Sequence, residues 1–481
     1  MTQRQRLRSA RPCRLTVAAF VLATVVATLP SARAGAGRPA SSAPAVERRA
    51  GPAGSLVMVE PSHVLPLVDV VVALRSGSAW DPRYKDGTAN FAAIAARHGA
   101  AGHGRVELDA RLAALGATLE VRTDADTVRF EGEVLGRNLD SYLSLVADIL
   151  LRPDFTPTEL ARTRREILAA LDEAANDDRA LCARFFGRNL YSDHPYGHAP
   201  EGTRTSLERL RRDDLQAFVR RHVVGPNVVF AASGDTTPED FATRVARHFS
   251  ALPAGPAPGP NPLAVRDPQP PRGWRIQLID KPDRRQAQIM FGQLGPRATD
   301  PDYVPLLVAV TSFGGRAMTA TLMDEVRTKR GLAYGAYMTL SQRIGRGALE
   351  GWVFSSNERA VATLKLSLKL FVGLMDKGID ADRLAFTKGF LAGSQAAELD
   401  DPQVRLDARV TAEVAGLPPD FVDTLPARIR AVSADQVRGA IARHVRAHDL
   451  AITVVATAAV LRPRLLAAKI QPGAIDVVPF R

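Results

Sequence analysis

Apolar positions along this chain follow two rhythms, one of period two and one close to 3.6, and they alternate in the same order twice. LVDVVVALRSGSAWDP, from Leu67, reads as a strand, a Gly-containing turn and Asp-Pro, and QAQIMFGQLGPRATDP, from Gln286, repeats that plan. LARTRREILAAL from Leu160 matches LAFTKGFLAGSQ from Leu384, and this register sets Asp177 opposite Asp401. RHVVGPNVVFAAS from Arg221 matches RHVRAHDLAITVVAT from Arg443, each a helix end, a turn and a β-rich run. Three matches in one order point to a duplicated unit. Each half is predicted as strand, helices, strands, long helices, strand. Without clean βαβ alternation this favours an α+β class: two homologous domains of a sheet plus helices.

Local signals place individual helices. Thr156 is a predicted N-cap, Pro157 takes the first helical position, and Glu159 completes a capping box. Leu160, Ile167, Leu168 and Leu171 then form one apolar face. In LDARLAALG, Leu108, Leu112 and Leu115 share a face and Gly116 ends the helix.

Composition adds the boundaries. Residues 1–34 read as a signal peptide: Arg4, Arg6, Arg8, Arg11 and Arg14 precede the short apolar run TVAAFVLATVVATLP, and Ala32-Arg33-Ala34 gives a small-x-small cleavage site. A retained anchor is the alternative, but the run is short for a bilayer. Residues 35–54 read as a flexible lead-in, and 252–273, LPAGPAPGPNPLAVRDPQPPRG, as a Pro/Gly-rich linker. The domains are then 55–251 and 274–470, with a tail over 471–481. The chain is expected to be exported to the periplasm or beyond, with no stable membrane insertion after cleavage. The formal charge of +12 falls to +6 once the leader and its six Arg are removed. No basic stripe is interleaved with aromatics, which argues against nucleic acid as a partner. Of two Cys, only Cys182 lies outside the leader, in the apolar context ALCARFF, where it reads as a small buried hydrophobe.

Four segments carry a resemblance: GTANFAAIAARHG, HPYGHAPEGT (194–203), VGPNVVFAASGD (224–235) and FGGRAMTATLMDEVRTKRGLAYGAY (313–337). As an ordered set over residues 55–470 they resemble the insulinase and mitochondrial-processing-peptidase (M16) family of zinc peptidases, in its short two-domain bacterial subgroup. Active members carry His-x-x-Glu-His on a helix, where two His bind zinc, the Glu activates water, and a Glu on a later helix completes the tetrahedron. Here Asn90 stands at the first His, Ala93 at the catalytic Glu and Ile94 at the second His. ILAALDE puts Ala169 and Ala170 at the later Glu pair. No metal is therefore expected in this chain, and the apolar replacements are expected to pack as core. His98, His103 and Glu107 read as solvated loop residues, Asp172 and Glu173 as the polar side of a helix, and His194 and His198 as turn residues.

The second half keeps more of the family pattern. Arg327 precedes Tyr334 by seven residues in MDEVRTKRGLAYGAY, and the resemblance implies that this pair hydrogen-bonds the substrate backbone. The bland alternative is that Arg327, Lys329 and Arg330 simply complement the dipole of a helix ended by Gly331. One departure is Ala320-Thr321-Leu322, where the family often has Ser-Arg-Leu. The resemblance implies a subunit not active alone, paired with a zinc-bearing M16 paralogue that holds the cofactor. Its substrate would be a peptide or unfolded polypeptide. A scaffold or binding protein of the envelope, with no role in proteolysis, is the competing reading.

Overall fold

The computed structural model describes residues 46–257, 266–470 and 475–480. The predicted leader and residues 258–265 of the linker lie outside the described residues. No helix among the described residues is long and apolar enough to cross a membrane.

The first half supplies strands β1 (Glu47–Ala50), β2 (Leu56–Pro61), β3 (Leu67–Leu74), a small hairpin of β4 (Gly99–Ala100) and β5 (His103–Gly104), then β6 (Glu120–Thr123), β7 (Val128–Leu135) and β8 (Val228–Gly234). Its helices are α1 (Thr88–His98), α2 (Arg105–Leu115), α3 (Leu139–Leu151), α4 (Pro157–Ala174), α5 (Asp178–Tyr191), α6 (Arg204–Arg209), α7 (Arg212–His222) and α8 (Pro238–His248). The second half supplies β9 (Trp274–Asp280), β10 (Gln286–Leu294), β11 (Gly335–Leu340), β12 (Ala348–Ser356), β13 (Leu450–Ala456) and β14 (Asp476–Pro479). Its helices are α9 (Tyr303–Gly314), α10 (Ala360–Lys377), α11 (Ala381–Glu398), α12 (Pro402–Val414), α13 (Phe421–Ala431), α14 (Ala434–His444) and α15 (Ala458–Ala467).

Each half builds one six-stranded mixed sheet, and the orders correspond strand for strand: β1-β2-β8-β3-β7-β6 and β14-β9-β13-β10-β12-β11. The second strand runs parallel to the third in both (β2 with β8, β9 with β13), and the inner pairs beyond are antiparallel. The outermost strands differ in origin: β1 comes from the lead-in and pairs antiparallel, β14 from the tail and pairs parallel. This corrects the expected boundaries. Residues 47–50 and 476–479 are edge strands of the two sheets rather than lead-in and tail, because backbone pairing at an edge needs no apolar side-chain pattern.

One face of each sheet is covered by its own half's helices. Val68, Val70 and Val72 of β3 pack with Phe91, Leu143 and Val146; Ile289 and Phe291 of β10 pack with Leu306, Val310 and Phe371. The opposite faces are covered by exchange. From α5, Leu181, Cys182, Phe186 and Leu190 pack on Ile279, Met290, Ala451 and Val455 of the second sheet. From α12, Leu406, Val410 and Val414 pack on Met58, Val71, Ala73, Val229 and Ala231 of the first. The Cys182 thiol is buried against the carbonyls of Gln288 and Thr453, and burial pushes its pKa up to about 12, as an inert core residue requires.

The duplication is exact at the caps. Asp177 accepts the N–H groups of Arg179 and Ala180 at the start of α5, and Asp401 those of Gln403 and Val404 at the start of α12. Thr156 caps α4 by accepting the Glu159 N–H, and Gly116 closes α2 in the left-handed region.

Candidate functional site

Helix α1 begins where the Asp81 carboxylate accepts the N–H groups of Gly87 and Ala89, at 2.6 and 2.8 Å. It carries Asn90, Ala93 and Ile94, with Asn90 and Ile94 one turn apart as the family's two His would be. Asn90 and Ala93 are buried; Ile94 is half-buried beside a cavity of about 350 Å³ that is also lined by His98, Arg105 and Glu120. Ala169 and Ala170 are exposed on α4, so the expectation that all the replacements pack as core holds for α1 and fails for α4. Their methyl side chains offer a metal no donor. Of Asn90, Ala93, Ile94 and Ala170, only Asn90 has a side-chain lone pair. One amide oxygen does not hold zinc, so this donor set does not fit the metal.

The other acidic and imidazole groups do not replace it. His98 is buried rather than solvated. Its Nδ1 lies 3.0 Å from the Thr163 hydroxyl, and burial, with Arg105 nearby, lowers its pKa to about 4, so it is neutral at physiological pH. His103 turns instead to Glu107, at 2.7 Å. Asp172 pairs with Arg204 on the surface and His198 with Asp86. His194 caps the turn Pro195–Gly197, from which Tyr196 donates to Asp126 and accepts the Gly345 N–H, tying the two halves together. Among the described residues, one group of His and carboxylates has metal-like spacing: Asp300, Asp302 and His444. Asp302 there is already held by both Arg443 and His444.

The predicted Arg/Tyr pair stands in the second half. A helical turn, Thr321–Met323, runs into a π-helical turn, Asp324–Thr328, which Gly331 ends in the left-handed region at φ 58°. Leu322, Met323 and Val326 anchor it in the core, leaving Arg327 exposed. Lys329 is neutralised by Asp324 and Glu325, and Arg330 by Glu325. Arg327 lies against the Met318 sulfur at 3.7 Å and, among the described residues, has no carboxylate partner. Helix-dipole complementation does not distinguish these three cations; the pairing pattern does. At 321, where the family often has Arg, Thr321 receives the Arg383 guanidinium from α11.

Tyr334 leads into β11 and is 61% exposed. Its N–H donates to the Phe354 carbonyl, and its ring stacks on Phe354 with centroids 5.5 Å apart. The two side chains thus emerge from one short segment, each resting on a different neighbour.

Sequence reasoning missed what Tyr334 belongs to. Phe354 stacks on Trp352 at 4.9 Å and Trp352 on Tyr337 at 5.7 Å, making a row of four rings across β11 and β12. The row lies on the sheet face that α5 partly covers: Trp352 packs against the α5 cluster, and all four rings stay at least partly exposed. The signal was present: in GWVFSS, Trp352 and Phe354 are two apart on a strand and so share a face.

Known proteins share this fold. The insulinase (peptidase family M16) model matches residues 56–204, and the model of the M16 inactive domain matches residues 209–389. A Helicobacter pylori protein described as the non-peptidase homolog YmxG is 24% identical over 403 residues, 83% of this chain and 91% of its own length. A Mycobacterium tuberculosis protein described as an uncharacterized zinc protease is 26% identical over 348 residues, 71% of this chain and 77% of its own. The crystal structure of a peptidase M16 inactive domain from Pseudomonas fluorescens matches with a TM-score of 0.78 at 27% identity, covering 85% of this chain and 98% of that one. With the duplicated sheets, the altered metal helix and both family models in register, this chain belongs to the insulinase (M16) family.

Proposed function

We propose that this chain is the non-catalytic, zinc-free subunit of an exported heterodimeric M16-type metallopeptidase. It contributes half of a peptide-binding chamber and presents Arg327 and Tyr334 to the substrate backbone. The zinc belongs to a partner chain that retains His-x-x-Glu-His. The observation that carries this reading is an asymmetry: the four metal-centre positions no longer offer a zinc-binding set, while Arg327, with no carboxylate partner among the described residues, and Tyr334, from the same short segment, both remain exposed. A guanidinium held free of carboxylates and a phenol are both donors suited to a carbonyl that gains negative charge. The export part of the reading is supported by the sequence of residues 1–34, which has the pattern of a cleaved leader.

The test is coexpression with a His-x-x-Glu-His paralogue and an assay of peptide cleavage by the complex. Arg327→Ala is expected to lower kcat by about a hundredfold, as loss of one transition-state donor does elsewhere, and Tyr334→Phe by somewhat less. Full activity in both variants would sink the reading and leave a scaffold in its place.

A further inference from the structure

The four-ring row borders an unfilled sheet edge. β11 is the last strand of the second sheet, so the backbone groups along its outer side face no further strand among the described residues. The rings close over that edge because Gly335 has no side chain. A Cβ there would come within 3.0 Å of both the Phe354 and Tyr337 rings. The faces of the row accept planar groups: the Arg179 guanidinium from α5 already lies 4.1 Å over Trp352. Arg179, over Trp352, and Arg327, in the turn that leads to Tyr334, both lack a carboxylate partner among the described residues, so neither positive charge is neutralised by an ion pair. The one acid on this face of β12, Glu350, is half-buried, and burial raises its pKa.

We propose that Phe354, Trp352 and Tyr337, continuing from Tyr334, are the specificity surface of the chamber. They take an extended peptide that pairs with β11 and lays an aromatic side chain on the rings, with an acidic side chain beside it. A strand added at an edge presents alternate side chains to one face, which matches a row running across two strands. Charge complementarity with Arg179 and Arg327 selects the acidic neighbour. This inference rests on reading the chain as a peptide-binding subunit.

The experiment uses the full chain and three labelled octapeptides, followed by fluorescence anisotropy. One peptide carries Phe and Asp at its centre, one Ala in place of Phe, and one Lys in place of Asp. The Phe/Asp peptide should bind about threefold to tenfold tighter than the Ala peptide, the range of one aromatic stacking contact. Its advantage over the Lys peptide should shrink at high salt. Trp352→Ala and Phe354→Ala should erase the Phe preference and Trp352→Phe keep it, with circular dichroism showing each variant folded. Equal affinity for the three peptides, no binding of any, or a preference untouched by both alanine variants overturns the inference. A preference on the isolated chain that the zinc-bearing complex ignores in cleavage would instead sink the subunit reading and leave this surface standing.

Discussion

The inward faces of the two sheets share one backbone plan and carry opposite chemistry. Pairing sets Ser233 beside Asp69 and Glu60 in the first sheet, and Val455 beside Gln288 and Ile279 in the second. The register that matches Arg221 to Arg443 superposes Ser233 on Val455, so Asp69 corresponds to Gln288 and Glu60 to Ile279. One and two strands further, Glu131, Glu133 and Glu120 stand where the second half has Trp352, Phe354 and Tyr337. Under the exchanged helices the contrast repeats. Glu60 is fully buried between Arg405 and Arg409 of α12, and the corresponding trio Ile279, Leu181 and Phe185 is apolar. The outward faces do not diverge this way: Val70 and Val72 correspond to Ile289 and Phe291, apolar in both. A face packed by its own half's helices must stay apolar. A face left to one exchanged helix and to solvent is free to become charged in one copy and aromatic in the other.

The largest expected effect is at the exchanged helices. Glu60→Ala leaves Arg405 without its carboxylate and Arg409 with Asp423 alone. Breaking a buried ion cluster from one side costs about 3 kcal/mol or more, read as a lower urea midpoint. Converting the whole cluster to its counterpart (Glu60→Ile, Arg405→Leu and Arg409→Phe together) should return stability to within about 1 kcal/mol of the wild type, since apolar packing replaces the ions and their desolvation. If the triple variant is as unstable as Glu60→Ala, the two junctions are not interchangeable and the comparison breaks there.

A smaller effect separates Asp69 from Gln288. Burial raises the Asp69 pKa to about 6, with Glu133 and Asp401 adding repulsion. A carboxyl whose folded pKa exceeds its unfolded value holds more protons folded than unfolded between those two values. Its ionisation therefore destabilises the fold above pH 6, and that penalty disappears as the pH falls toward 4. Asp69→Asn, which mimics the second half, should stabilise the protein by about 1 kcal/mol at pH 8, allowing for solvent screening of a half-exposed group. The difference from wild type should vanish near pH 4. Taking the difference matters, because buried His98 and His222, both lowered to about 4, lose stability over the same acid range in either protein. A pH-independent gain from Asp69→Asn would show that the acidic cluster is not what strains this face.

What the sequence made legible follows from how local each cause is. The cap at Thr156 and the stop at Gly116 depend on residues within one turn; the structure has the stop and the Thr156 half of the predicted capping box, and the register that sets Asp177 opposite Asp401 was readable without their capping role. The altered metal helix was readable for the same reason, since Asn90, Ala93 and Ile94 lie within a single stretch of α1. The exchange of α5 and α12 was not. Leu181, Phe186 and Leu190 mark an amphipathic helix, but an apolar face does not say which sheet it will cover. β1 and β14 were missed because ERRA and DVVP are largely exposed edges held by backbone pairing. The exposure of Ala170 depends on which side of α4 meets α1, which helical periodicity alone does not fix.

The finest test compares the two aspartates that the duplication superposes. Asp177 and Asp401 make the same cap, so removing either side chain should cost about 1 kcal/mol from the lost hydrogen bonds. Their surroundings differ. The end of α4 just before Asp177 is held by the Lys281 ammonium through the Ala175 and Asn176 carbonyls, whereas Asp401 faces the Asp69 carboxyl. At pH 8, with Asp69 ionised, Asp401→Ala should cost a few tenths of a kcal/mol less than Asp177→Ala, because losing the cap also relieves a repulsion. At pH 5, with Asp69 largely protonated, that relief is gone, and the two variants should move toward equal cost. Urea midpoints of both variants at the two pH values measure this directly. A gap that stays constant with pH would show that the caps differ for a reason other than the acidic face beneath α12, and would confine the divergence of the two halves to the strands.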